Sequence, residues 1–108
     1  MKLFIDTSRT TFTVTRGVEE KVDNETKRQK TNRNTGELLW TVQVMALDAS
    51  GGEVIMVTLA GNPPKVTVGQ TVSPVELEAI PWAQGSRNGV AYRASELVPV
   101  GAAKSTAA

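Results

Sequence analysis

The chain has 108 residues, is 40% hydrophobic and carries a net charge of +1, from 12 Lys+Arg against 11 Asp+Glu. This is the size of one domain with a modest core. Near-neutrality excludes steering by a large whole-molecule field, so any role with nucleic acid must come from local clustering. There is no cysteine and no histidine. Disulfides, thiolate or imidazole metal sites and a histidine general base are therefore excluded.

The strand signal dominates along the chain. Residues 3–5 (LFI) form a short apolar run, and residues 11–15 (TFTVT) alternate Phe12 and Val14 with threonines. These two segments are expected to pair with each other or to form one bent strand, with Phe12 and Val14 in the core. Residues 21–35 (KVDNETKRQKTNRNT) hold no apolar residue after Val22 and read as a solvated loop or the tip of a long hairpin. Asn34, Thr35 and Gly36 then mark a turn.

Residues 38–47 (LLWTVQVMAL) are the strongest strand. Trp40, Val42, Val44 and Ala46 share one face; Leu39, Thr41, Gln43, Met45 and Leu47 share the other. Both faces are largely apolar, so part of this strand is expected to be buried on both sides or shared between two sheet segments, as in a small barrel. Residues 48–52 (DASGG) read as a five-residue connection to a returning strand over 53–59. Residues 60–64 (AGNPP) cannot continue a ladder, because two prolines lack donors. No helical periodicity follows, so a turn is expected there.

The next strand spans 72–80, with Val72, Val75, Leu77 and Ala79 as core candidates. Pro74 within it argues for an edge, a bulge or a strand start. After Pro81 and Trp82 comes a polar turn over 83–88, a returning strand over 89–94 and an ending at 96–99. Five or six short strands with little helix predict an all-β barrel or sandwich. One domain over 1–100 and a disordered tail over 101–108 are expected. No segment is long and apolar enough to span a membrane, and the start does not read as a secretory signal. A cytoplasmic protein is therefore expected.

Three clusters carry a family likeness. The segment Asn34-Thr35-Gly36-Glu37-Leu38-Leu39-Trp40-Thr41-Val42, the pair Pro81-Trp82 followed by Gly89-Val90-Ala91-Tyr92-Arg93-Ala94, and Asp6-Thr7-Ser8 near the start resemble a family of actinobacterial plasmid and integrative-element regulatory proteins, labelled activators of replication, integration and excision. Residues 69–79, led by Gly69, are also similar to a strand of single-stranded DNA-binding proteins. That likeness implies a small five-stranded oligonucleotide-binding (OB)-like barrel with a long basic hairpin loop, and single-stranded DNA as partner.

The residues supply a candidate interface. Lys21, Lys27, Arg28, Lys30 and Arg33 place five cations in thirteen residues, either an arm on a phosphate backbone or a loop charged for solubility. Trp40 is a stacking platform beside that loop or a plug in the core. Trp82, at a strand end before a polar turn, suits stacking, subunit contact or core. Arg87 sits at the hairpin tip. Tyr92 is expected to point inward and Arg93 outward, and Arg9 and Arg16 flank the first long strand. Glu76 and Glu78 alternate on one strand face and read as solvated carboxylates. The hairpin adds to an interface only if it faces the same groove as the basic loop.

No nucleophile elbow and no phosphate loop are present. The expectation is a non-catalytic protein without a cofactor or metal, binding single-stranded DNA with little sequence preference and self-associating as a dimer or tetramer. The alternative is a regulatory or protein-interaction subunit of a mobile element, such as a plasmid or phage, that does not itself touch nucleic acid.

Overall fold

The computed structural model describes residues 3–23 and 25–100, and the expected tail over 101–108 lies outside them. The described residues are all-β, with no helix. Eight strands form one curled sheet: β1 (Leu3–Phe4), β2 (Thr11–Glu20), β3 (Leu39–Asp48), β4 (Gly51–Ala60), β5 (Thr71–Val75), β6 (Glu78–Gln84), β7 (Arg87–Arg93) and β8 (Glu96–Pro99). Their order across the sheet is β1-β6-β7-β4-β3-β2-β5-β8.

The meander β2-β3-β4 is the frame. Its inward faces follow the period of two: Phe12 and Val14 on β2, Val42 and Val44 on β3, and Ile55, Val57 and Leu59 on β4 are all buried. Val14, Val42, Val44 and Val57 are at most 1% exposed. Branched side chains fit this pleated interior, and truncating any one to alanine should cost about 2 kcal/mol from lost methyls and the cavity left. β2 runs further than the alternation over 11–15 suggests. Register shifts between Val14 and Arg16, and between Arg16 and Glu19, bend it and let it follow the curl.

The outward face of residues 38–47 is only partly covered: Leu39, Thr41 and Gln43 are half-buried. Met45 and Leu47, on the outward face, are exposed at 38% and 51%. The reason is topological: no strand among the described residues covers the outside of β3 and β4 near the turn that joins them. The connection between them is also tighter than five residues. Asp48 pairs directly with Gly51, and the Asp48 carboxylate accepts from the Ser50 amide at 2.8 Å and its hydroxyl at 2.6 Å. That is an aspartate-closed turn. The short N-terminal run pairs with neither β2 nor itself: β1 lies against β6, Leu3 opposite Ala79.

Residues 71–99 make a hairpin that breaks in the middle. Glu76 adopts a left-handed φ of 53°, and from there the chain leaves β5, beside β2, for β6, beside β7. The opposite strand breaks in step at Ala94 and Ser95. The extra residue shifts the face by one position. Val72 and Pro74 point inward before it; Leu77 points inward after it, with Ala79 half-buried. Val75, expected in the core, is therefore 36% exposed, and Glu76 and Glu78 do not share a face of one regular strand. Pro74 is tolerated for a related reason. The carbonyls of Thr71 and Val75 face β8, accepting from Val100 and Ser95, so position 74 faces β2, whose pairing to β5 ends at Phe12↔Val72. No ladder bond is lost.

The polar turn shrinks as well. β6 continues through Gln84, which pairs with Arg87, leaving Gly85 and Ser86 as a two-residue turn. Gly85 holds a φ of 63°, which its missing side chain permits at little cost. Between β4 and β5, the segment over 61–70 contains no helix. It contributes Val66 to the core.

Candidate nucleic-acid interface

The basic loop between β2 and β3 is ordered by hydrogen bonds rather than open. The Lys30 amide donates to the Lys21 carbonyl at 2.6 Å, and the Leu39 amide donates to the Lys30 carbonyl at 2.9 Å. Lys30 thus threads between the end of β2 and the start of β3. Two small lobes hang from this waist, closed by bridges Val22↔Gln29 and Thr31↔Leu38. Short polar side chains shape both. The Asp23 carboxylate accepts from the amides of Glu25 (2.8 Å) and Thr26 (3.2 Å). The Asn32 side-chain Oδ1 accepts from those of Asn34 (2.8 Å) and Thr35 (3.2 Å). The polar residues that look featureless in sequence are the turn formers that fix the loop.

Lys27, Arg28, Lys30 and Arg33 are exposed, and none of them makes an ion pair among the described residues. Lys21 differs. It is half-buried on the outer face, its Nζ 3.3 Å from the Thr58 hydroxyl oxygen on β4. Burial, and secondarily the charge of Lys30, hold its ammonium below the usual lysine range. Two amide donors on the Asp23 carboxylate hold that group below the usual aspartate range.

The β6–β7 ribbon presents Trp82 outward. Trp82 pairs with Gly89, is 42% exposed, and lays its indole directly over the glycine. A Cβ built on Gly89 would sit 2.8 Å from Cζ2 and 3.0 Å from Cε2 of Trp82. One indole face is thus seated on backbone. Arg87 is exposed beside the turn. Tyr92 packs half-buried against the core, inward as the alternation requires. Arg93 is held by Glu78, Nη2 to Oε2 at 3.3 Å, so its charge is already partnered.

Trp40 lies on the core side. It follows the parity of Val42 and Val44 and pairs with Leu59. Its indole N–H donates to the Gly61 carbonyl at 2.8 Å, tying the end of β4 to the start of β3. It does not share a surface with Trp82. Arg16 lies within 3.8 Å of Glu19, both exposed, a contact worth little.

One groove joins the root of the loop, at Lys21, to the ribbon, and Lys27, Arg28, Lys30, Arg33 and Arg87 do not line it. Lys21, Val54, Met56 and Thr58 form one side of it; Trp82, Val90, Ala91 and Tyr92 form the other, with Glu53 at one end. Val54, Met56 and Gly89 carry no chemical signature in the sequence. Their parity on strands 53–59 and 89–94 is the signal that would have found them. Among the described residues no group of three or more carboxylates could hold a metal ion, and no helix is long and apolar enough to cross a membrane. Comparison of the chain with family models, with curated proteins and with solved structures finds no match.

Proposed function

We propose that this protein binds single-stranded DNA without catalysing a reaction, on the outer face of β3 and β4 between the basic loop and the β6–β7 ribbon. One observation carries the reading: Lys21, at the root of the cationic loop, and Trp82, a seated and half-exposed indole, line the same groove. A groove with a lysine at one border, at the root of a cationic loop, and an aromatic side chain at the other matches the two demands of a single strand, phosphate neutralisation and base stacking. Lys27, Arg28, Lys30, Arg33 and Arg87 supply charge, Trp82 supplies stacking, and Trp40, Tyr92 and Arg93 support the frame.

The strand pairing favours an OB-like barrel. With the two-residue β1 set aside, counting β5 with β6, and β7 with β8, as two bent strands gives five. The second half of the chain then returns to β4 through the parallel pair Val57↔Tyr92 and to β2 through Phe12↔Val72. In that fold the second and third strands and their flanking loops take oligonucleotides, the same surface reached here from the side chains. Titrating labelled oligo(dT) at low salt tests the reading by fluorescence anisotropy. Micromolar or tighter binding that weakens steeply with salt is expected; no binding at tens of micromolar protein would sink it.

A second reading has its own observation. Phe4 on the terminal strand β1 is 68% exposed, and among the described residues β1 and β8 end the sheet without further partners. Such edges suit self-association, or a subunit of a mobile-element assembly that uses the barrel to hold protein. Replacing Lys27, Arg28, Lys30 and Arg33 with glutamine separates the two, because it removes DNA binding and leaves edge pairing intact.

A further inference from the structure

β4 and β7 are neighbours in the sheet, yet their ladder is two residues long: Val57↔Tyr92 and Thr58↔Arg93. The Ala94 amide closes it by donating to the Thr58 carbonyl at 3.1 Å. Before that point the strands part. Among the described residues β4 from Gly51 to Met56 has no partner on its β7 side, and β7 from Arg87 to Ala91 has none on its β4 side. Since Thr58 faces β7, alternation turns the amides and carbonyls of Val54 and Met56 the same way. The matching groups on β7 belong to Asn88 and Val90. Among the described residues no side chain hydrogen-bonds to any of them. The sheet therefore holds a wedge, closed at Thr58 and open toward the hairpin tip.

The wedge runs inward as well as along the surface. Glu53, Ile55 and Tyr92 line both this outer groove, a cavity of about 480 Å³, and a second cavity of about 290 Å³ at the mouth of the curled sheet. Its walls combine three chemistries: apolar surface from Val54, Met56 and Ala91, backbone donors and acceptors without partners, and the Lys21 ammonium near the narrow end. Trp82 flanks it on the ribbon side. The one carboxylate, Glu53, lies toward the wide end, away from Lys21.

We infer that this wedge seats one unpaired nucleobase. The inference rests on the single-stranded DNA reading and deepens it. A base offers apolar faces, a hydrogen-bonding edge and a linked phosphate, and the wedge offers a complement to each: Trp82, Val54 and Met56 for the faces, the free groups of Val54, Met56 and Val90 for the edge, and Lys21 for the phosphate. Binding then has one position unlike the rest. Elsewhere the strand is held by charge and surface contact; in the wedge a base is enclosed and its edge is read.

An abasic scan tests this. The shortest oligo(dT) that binds is titrated intact and with an abasic nucleotide at each position in turn. One position should cost tenfold or more and the others threefold or less. Ala91→Phe, which fills the wedge from β7, should bring the intact oligonucleotide to the affinity of that abasic one and abolish the difference between them. Losses spread evenly over all positions, with binding of the intact strand preserved, would overturn the wedge and leave the DNA reading standing. Failure of every oligonucleotide to bind would overturn both. The scan on the unaltered protein decides the matter even if the Phe variant folds poorly.

Discussion

The basic loop, through Lys21 at its root, and the β6–β7 ribbon, through Trp82, meet at one groove but are built in opposite ways. The loop owes its shape to short polar side chains, with Asp23 and Asn32 each accepting two backbone amides. The ribbon owes its shape to seven consecutive cross-strand pairs and a two-residue turn. The loop carries charge with no aromatic; the ribbon carries an aromatic, Trp82, with Arg87 exposed beside the turn and Arg93, at the other end, paired to Glu78. The difference suggests a division of labour in which the loop sets how strongly phosphate is attracted and the ribbon sets how a base is held.

The largest effect should come from the loop. Changing Lys27, Arg28, Lys30 and Arg33 together to glutamine should weaken oligo(dT) binding by about a hundredfold at physiological salt and flatten the log–log salt dependence by roughly 3, at about 0.7 per phosphate contact. Equal salt slopes for the two proteins would show that the loop does not touch the strand. The ribbon comes next. Trp82→Ala should cost about 1–3 kcal/mol with the salt slope unchanged. Gly89→Ala should reproduce much of that loss with Trp82 still present, because its methyl group displaces the indole. If Gly89→Ala binds like the parent, the seating of the indole is irrelevant to binding.

Lys21 should show a smaller effect of mixed sign. Its folded-state value is depressed, so the unfolded chain holds this proton more tightly. The folded state therefore carries a constant penalty at neutral pH that is relieved as pH rises through the depressed value toward 10.5. Lys21→Met should make the free protein more stable to denaturant near pH 7 while weakening DNA binding. A variant both less stable and equally tight would contradict the placement. Smallest is the response of the loop to acid. Asp23 is depressed from 3.8 by its amide donors, so its contribution to the turn is complete above that value. It is lost as pH falls through the lower folded-state value. Amide exchange or chemical shifts of Glu25 and Thr26 should therefore change only in acid below about pH 4.

Much of the frame was legible in the sequence because it rests on period-two alternation. Phe12 and Val14, and Val42 and Val44, declare the inward faces of β2 and β3. What escaped were the places where one residue breaks that period. The left-handed Glu76 exchanges Val75 for Pro74 in the core. Nothing in its chemistry announces this, since the kink serves a change of neighbour strand that only the whole topology requires. The loop escaped for another reason: its order lies in contacts between side chain and backbone within a few residues, and a polar stretch reads alike whether or not those contacts form. Of the candidate site, the cations and Trp82 were visible as residue types. The groove that unites Lys21 with Trp82 was not, because it depends on strands far apart in sequence. Nor could parity alone decide Trp40, whose hydrogen bond to Gly61 fixes it to the frame.

The two tryptophans give the most direct test of the central claim, that the outer groove is where the strand binds. Trp40→Phe removes the indole donor to Gly61, which should cost about 1 kcal/mol of stability, and leaves Trp82 as the sole indole. Titrating this variant with oligo(dT) at low salt should quench the remaining fluorescence saturably, with an affinity within threefold of the parent. Binding seen by anisotropy while Trp82 fluorescence stays unchanged would place the strand elsewhere and contradict the account.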